Sequence, residues 1–405
     1  MTPPADALDP CELSPAILPG ASFGILGGGQ LGRMTAMAAK QLGYRVVVLT
    51  PERHSPAGQV CDREIVADYQ DPQALEHFAR EVSVVTVEFE NIPAESLREL
   101  AQQVPVHPSA NVLAVCQHRL REKTFLQEAG FAVTPFAPLG SIVDLQRALD
   151  SVGFPAVLKT AGFGYDGKGQ AKINNLNEAR AAYDAFSQTY GGQAIVEAFV
   201  PFRREISVIG ARSAQGAFAA YGPVENVHRH HILETSLVTP DSHLDPLAQQ
   251  AIEMTRQVMQ ALDVVGLLCV EFFETATGEL LINELAPRPH NSGHYSLDAC
   301  ATSQFEQLVR AVCGLPLGSP QVHQTALMVN LLGDSWQQEQ PPDWAYLLSH
   351  PNLHLHLYGK AQARAGRKMG HFTLLSQTGP TELWEQWRQL LPVLRPAVAV
   401  PLSNG

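Results

Sequence analysis

Two glutamates on either side of a turn carry the first chemical signal. In "LCVEFFETATGELLINELA" a two-residue turn at Thr277-Gly278 would pair Glu274 with Leu281, Phe272 with Asn283 and Glu271 with Glu284. Carboxylates that face each other on one side of an antiparallel hairpin lie roughly 5 Å apart at Cβ, and like charges there are destabilising. Apolar neighbours such as Cys269, Phe273 and Ile282 would sharpen the conflict. A hard divalent cation resolves it, so the pair reads as a Mg²⁺ site; two exposed glutamates on an edge hairpin are the plain alternative. Strict alternation puts Asn283 on the opposite face from Glu284 unless the strand bulges there.

The next residues, "RPHNSGH", add Arg288, whose planar fork suits a small carboxylate or carbonate, with His290 and Asn291 as further donors. Two glycine-rich turns lie upstream. Gly27-x-Gly29-x-x-Gly32 follows a strand and opens a helix, so its N–H groups can face an anion; Thr50 and Pro51 stand where a dinucleotide site would place its ribose-binding acid. The second, "LKTAGFGYDGKGQ", matches a P-loop from Gly162 to Lys168 but has Gly169 in place of Ser or Thr, and a strand rather than a helix follows. It reads as a flap between two strands that closes over phosphates with Lys159 and Lys168. Near the C-terminus, Lys360, Arg364, Arg367 and Lys368 form a basic island that a phosphate-bearing substrate would need.

These residues need elements to hold them. "SFGILGGGQLGRMTAMAAKQLGYRVVVLT" reads as strand, turn, helix and buried parallel strand, and "VSVVTVEFEN" as a further strand, which predicts a doubly wound α/β domain. Beyond Arg119 come a short helix, the flap hairpin, the strand "QAIVEAFV" and a strand-rich stretch from Glu205 to Glu284, with helices near Asp245 to Leu262 and Ser303 to Val312. Short strands at "ALMVNLLG" and "HLHLYGK", a turn at "AGRKMG" and a last helix complete the chain. With 405 residues, 45% hydrophobic and 17% charged, it has material for two or three cores. A net charge of -12 argues against nucleic-acid or anionic-membrane partners, and no run reaches the length of a membrane span. Six scattered cysteines suit free thiols in a reducing cytosol, and the acidic, Pro-rich opening reads as a floppy extension.

"GGGQLGRM", "EFEN", "GYDGKGQ", "INELAPRPHNSGH" and "GRKMGH" occur in that order, and through them the chain resembles the ATP-grasp superfamily. Within it, the chain is most similar to the 5-(carboxyamino)imidazole ribonucleotide synthetases of purine biosynthesis, the ATPase subunits of phosphoribosylaminoimidazole carboxylase. The resemblance implies an α/β architecture: a disordered extension over 1–21, a Rossmann-like pre-ATP-grasp domain over 22–118, an ATP-grasp domain over 119–315 and a small α+β C-terminal domain over 316–405. It implies that Arg119, Lys159 and the loop Gly164, Tyr165, Asp166, Gly167, Lys168, Gly169 and Gln170 hold ATP. Glu197, Ala198, Phe199 and Val200 would read adenine, Glu205 the ribose, and His228 the nucleotide, with His230 and His231 as alternatives to it.

Glu271 and Glu284 match the family's Mg²⁺ carboxylates, Asn283 joins Glu284 at the nucleotide, and Arg288, His290 and Asn291 fall where bicarbonate is held. Gln30, Leu31, Glu88, Tyr165 and Asp166 resemble contacts to the aminoimidazole ribonucleotide, Asp166 also orienting its amine, while Lys360 and Arg367 resemble a clamp on its 5′-phosphate. The family also implies a cytoplasmic homodimer. A formate-using ATP-grasp ligase, an NAD-dependent dehydrogenase and a nucleotide-binding regulator are the rival readings.

Overall fold

The computed structural model describes residues 16–162, 169–190, 193–336 and 340–395. Its first sheet contains β1 (Ser22–Leu26), β2 (Arg45–Thr50), β3 (Arg63–Val66) and β4 (Val84–Val87), all parallel in the order β3-β2-β1-β4. Alternate residues of each strand serve opposite faces. Phe23, Ile25, Val46 and Val48 pack on Ala36 and Ala39 of the helix Gln30–Gln41, whereas Leu26, Val47, Leu49, Val85 and Val87 pack on Leu75, Phe78, Leu97 and Leu100. Burial on both faces explains the near-continuous apolar runs. β3, short and half-exposed, has no such run and was not anticipated. The strand order reverses at β1, so the carboxyl ends of β1 and β4 form a crevice lined by the first glycine turn and by Glu88.

The second sheet, β5 (Phe136–Leu139), β6 (Ala156–Thr160), β7 (Gln170–Ile173) and β8 (Ala194–Ala198), is antiparallel in the order β5-β8-β6-β7. β6 and β7 form the expected hairpin, with Lys159 opposite Gln170; Gly164 to Lys168 of its loop, with Tyr165 and Asp166, lie outside the described residues.

The third sheet has eight strands: β9 (Phe202–Arg212), β10 (Phe218–Arg229), β11 (Ile232–Val238), β12 (Gly266–Thr275), β13 (Leu280–Ala286), β14 (Thr325–Leu332), β15 (Leu353–Leu357) and β16 (Lys368–Ser376). Their order is β13-β12-β9-β10-β11-β14-β16-β15. The strands of the expected C-terminal domain therefore extend the central sheet through the β11–β14 pairing, and the helix Pro380–Leu394 covers them with Leu383, Trp387 and Leu390. Lys368 to Gly370 of the expected turn "AGRKMG" belong to β16. The start of the chain also needs correction: the expected extension over 1–21 is too long. Ile17 donates its N–H to Cys313 O at 2.9 Å and accepts from Tyr44 Oη at 2.6 Å, so residues 16–21 lie against the body.

The β12–β13 hairpin departs from the expected register in an informative way. Its loop has three residues, with Gly278 at φ +79°, a conformation that suits glycine, and Thr275 N–H donating to Glu279 O at 2.9 Å. Hence Glu274 pairs with Leu280 and Phe272 with Ile282, not with Leu281 and Asn283. A bulge at Asn283 then restores the Glu271–Glu284 pair. The extra residue also brings Asn283 and Glu284 to the same cleft, which strict alternation forbids.

Gly333 lies against the backbone of the basic loop: a Cβ there would sit 2.1 Å from Arg364 O and 2.6 Å from its N. Gly333→Ala should lower stability by about 1–3 kcal/mol, read as a lower urea midpoint at constant slope. An unchanged midpoint would show that the loop yields without cost.

Candidate active site

Between the second and third sheets lies a cleft of about 730 Å³. β6 contributes Lys159 and β8 contributes Glu197, neighbours because the strands are adjacent and antiparallel. Lys159 Nζ is 2.8 Å from Glu197 Oε2, and the buried Lys123 approaches the same oxygen at 3.9 Å while donating to Ile282 O at 3.1 Å. Burial would raise the Glu197 carboxyl, but Lys123 and Lys159 outweigh it and hold it at about 2. The Glu197 side chain, expected at adenine, is thus bound by lysines, and Ala198, Phe199 and Val200 continue the cleft wall. Lys172 sits 3.8 Å above the Phe199 ring. Gln170, at the foot of the flap, meets His231 Nδ1 at 3.2 Å.

The opposite wall carries the glutamates. Glu271 Oε1 lies 2.9 Å from His290 Nε2, and Glu284 Oε2 lies 3.2 Å from Arg119 Nη1 at the start of the helix Arg119–Glu128. The expected repulsion is therefore relieved by a separate cation or donor for each carboxylate. Burial pushes Glu271 up, yet the His290 hydrogen bond and the charges of His290 and His228 bring it well below the usual carboxylate range. Glu205 Oε2 is 2.6 Å from His228 Nδ1; burial lowers His228, but this bond and the Glu271 charge leave it raised. His230 and His231 line the cleft too, at φ +50° and +64° in the hairpin turn after β10, so the structure ties only His228 to the proposed ribose glutamate.

His290 Nδ1 meets Ser292 Oγ at 2.8 Å, and Ser292 meets the buried Ser207 at 2.7 Å, which accepts from Asn226 at 2.9 Å. Against this order, Asn283 Oδ1 and both amide atoms of Asn291 are buried without a hydrogen-bond partner among the described residues. Orphaned polar atoms at the centre of a cleft are where a polar ligand restores the lost bonds.

The remaining expected residues gather beside this cleft rather than in its wall. Glu88 accepts from Gly29 N–H at 2.8 Å and from Gly32 N–H at 3.0 Å. The anion met by the first helix N-terminus is thus the chain's own carboxylate. Leu31 of this helix packs with Tyr358, next to Lys360; Gln30 opens the helix. Lys360 Nζ donates to Lys368 O at 2.7 Å and Arg367 Nη1 to Gln362 O at 2.9 Å. Burial and the charge of Arg367 lower Lys360 to about 8, against the opposing pull of Glu88.

Residues 21–117 match the ribonucleotide synthetase preATP-grasp domain, 124–305 the ATP-grasp domain and 326–383 the phosphoribosylaminoimidazole carboxylase C-terminal domain. The N5-carboxyaminoimidazole ribonucleotide synthase of Brucella melitensis is 45% identical over 358 residues, which cover 88% of this chain and 97% of that one. Its namesake in Bacillus subtilis is 44% identical, with 91% and 95% covered. The chain belongs to the N5-carboxyaminoimidazole ribonucleotide synthase family. Among solved structures, the ADP complex of an N5-carboxyaminoimidazole ribonucleotide synthetase superposes with a TM-score of 0.86 at 40% identity, covering 93% of this chain and 98% of that one. The Aspergillus clavatus synthase in complex with ADP and 5-aminoimidazole ribonucleotide does so at 0.83 and 29%, covering 92% and 98%. The fold is the expected ATP-grasp fold, with an N-terminal preATP-grasp domain and a C-terminal domain.

Within this synthase fold, sequence reasoning missed three charged residues. Glu90 lines the cleft and binds Arg288 through both carboxylate oxygens. Glu122 accepts from Leu285 N–H at 3.2 Å and is pushed up by burial and by the charge of Glu284, and Lys123 bridges Glu197 to β13. The signal for Glu90 was available in the second acid of "EFEN"; Glu122 and Lys123 looked like ordinary polar residues of a short helix.

Because the folded value of Glu197 lies below its unfolded one, its stabilisation is present at neutral pH and fades as pH falls from about 4.5 toward 2. Glu197→Gln should therefore cost roughly 3 kcal/mol or more near pH 7, with a deficit that shrinks in that acid window. A deficit that does not change with pH, measured by urea denaturation, would remove the ion pair from the account.

Proposed function

We propose that this synthase carboxylates the amino group of 5-aminoimidazole ribonucleotide, consuming ATP and bicarbonate and giving ADP, phosphate and 5-(carboxyamino)imidazole ribonucleotide. The observation that carries the reading is the meeting, in one cleft, of the Glu271–Glu284 pair, the orphaned amides of Asn283 and Asn291, and Lys159, beside Arg288. The names of the relatives and the ADP and ribonucleotide complex of the Aspergillus protein support it.

Glu271, Glu284 and Asn283 Oδ1 fit Mg²⁺: they are hard oxygen donors, and one is an acceptor that otherwise lacks a partner. Bound there, Mg²⁺ would supply neutralising charge at the phosphates. Lys159 and Arg119 add positive charge along the phosphate chain, while Ala198 to Val200 seat the adenine and Glu205 with His228 the ribose.

Arg288, His290 and Asn291 hold bicarbonate so that one of its oxygens attacks the γ-phosphorus. The new O–P bond forms as the bond to the β-phosphate oxygen breaks, leaving ADP and carboxyphosphate. The ribonucleotide amine then bonds to the carboxyl carbon, phosphate departs and the amine loses a proton. The sequence of carboxyphosphate capture, or of CO₂ released from it, requires a water-free cleft, the role assigned to the flap of Gly164 to Gln170, with Asp166 orienting the amine. Gln30, Leu31, Glu88 and Tyr165 surround the ribonucleotide, whose 5′-phosphate is clamped by Lys360 and Arg367. No helix among the described residues is long and apolar enough to cross a membrane. A cytoplasmic homodimer completes the proposal, resting on the resemblance.

ADP release should require Mg²⁺, bicarbonate and the ribonucleotide together, and label from bicarbonate should enter an acid-labile product. Release with formate in place of bicarbonate would move the chain to the formate-using reaction class. The clamp predicts that Lys360→Ala with Arg367→Ala raises KM for the ribonucleotide by about 10-fold or more, as loss of charged hydrogen bonds to phosphate would. In the unsubstituted protein the same KM should rise as pH passes about 8, where Lys360 loses its proton. A KM flat through that range, and unchanged in the double variant, would dismiss the clamp.

A further inference from the structure

Arg288 lies at the carboxyl end of β13, yet its partner comes from the far side of the chain. Glu90 follows β4 in the first sheet and meets the guanidinium side-on: Nε donates to Oε2 and Nη2 donates to Oε1 at 3.1 Å. Nη1 donates to Pro289 O at 3.1 Å. A guanidinium has five N–H bonds in one plane. Three are accounted for, the Nε hydrogen and one on Nη2 by Glu90 and one on Nη1 by Pro289 O. The two that remain, one on each Nη, have no partner among the described residues, and Arg288 lines the cleft.

Such a pair matches two oxygens of a planar trigonal anion. We propose that Glu90 is a positioning residue for bicarbonate: it occupies the side of the Arg288 fork so that only the end-on pair is presented to the substrate. The inference rests on the assignment of Arg288 to bicarbonate. Three further observations support it. Both side chains are largely buried, at 18% and 22% exposure, so little water reaches the pair. Burial would raise the Glu90 carboxyl, but Arg288 outweighs it and holds it at about 2, so it stays ionised throughout the working range. And Glu90 offsets the Arg288 charge, which leaves shape rather than net charge to select the anion; a phosphate dianion gains less at such a site than at a bare arginine.

The test is steady-state kinetics of Glu90→Gln, Arg288→Lys and the double variant, with KM measured separately for bicarbonate, ATP and the ribonucleotide, and with inorganic phosphate as a competitor of bicarbonate. Glu90→Gln should raise KM for bicarbonate about 10-fold or more, the scale of a misplaced binding group, with KM for ATP within twofold, and should strengthen inhibition by phosphate. Because Glu90 acts through Arg288, the double variant should be no worse than Arg288→Lys alone. Glu90→Asp keeps the charge but shortens the reach, and should fall between. If Arg288→Lys raises KM for bicarbonate and Glu90→Gln does not, the positioning role is overturned while the bicarbonate assignment stands. If Arg288→Lys leaves that KM unchanged, the assignment itself falls. Equal rises for all three substrates, or additive losses in the double variant, would mark Glu90 as merely structural.

Discussion

Buried charge is costly unless it is met by an opposite charge, and that constraint organises the cleft of this protein. Moving an isolated carboxylate or ammonium out of water costs several kcal/mol even after relaxation. Here Glu197 lies between Lys159 and Lys123, Glu284 beside Arg119, Glu271 beside His290, and Glu90 against Arg288. Each set joins elements that are remote in the chain. The second sheet is fastened to the helix Arg119–Glu128, that helix to β13, and the first sheet to the loop after β13. The cleft thus supplies the ion pairs that hold its own walls in register.

The same pairing leaves a pattern of unmet demand. The carboxylates have partners, whereas Asn283 Oδ1 and the Asn291 amide have none among the described residues. A ligand that satisfies those amides gains hydrogen bonds without first breaking protein ones, which is how a preformed site keeps affinity from being lost to reorganisation. The bulge at Asn283 serves this arrangement. One extra residue on β13 turns Asn283 and Glu284 to the same side, giving adjacent oxygen donors from a strand that would otherwise alternate.

At the first glycine turn the protein uses its own anion. Glu88 fills the position at the helix N-terminus that a dinucleotide phosphate would take, so the turn and the strand after it cannot serve a pyrophosphate without displacing a buried carboxylate. Burial raises Glu88 even against the two glycine N–H groups that bind it, and Lys360 lies close enough to draw it down. Helix, carboxylate and lysine form a second charged set, beside the cleft rather than within it.

The amino-acid sequence by itself determined the ordered series of motifs and the elements that carry them. The apolar runs of β1, β2 and β4, the flap hairpin and the Glu271–Glu284 opposition were legible because local periodicity and turn residues encode them. Tertiary structure alone decided the rest. The register between turn and glutamates depended on a three-residue loop offset by a bulge, two deviations that cancel at Glu271 and are invisible to alternation. The C-terminal strands joined the central sheet because β11 pairs with β14 across 86 intervening residues, a choice that no local pattern encodes. And the roles of Glu88, Glu90, Glu122 and Lys123 followed from which charge each one meets, because the burial of a charge is decided by partners that only the folded chain brings within reach.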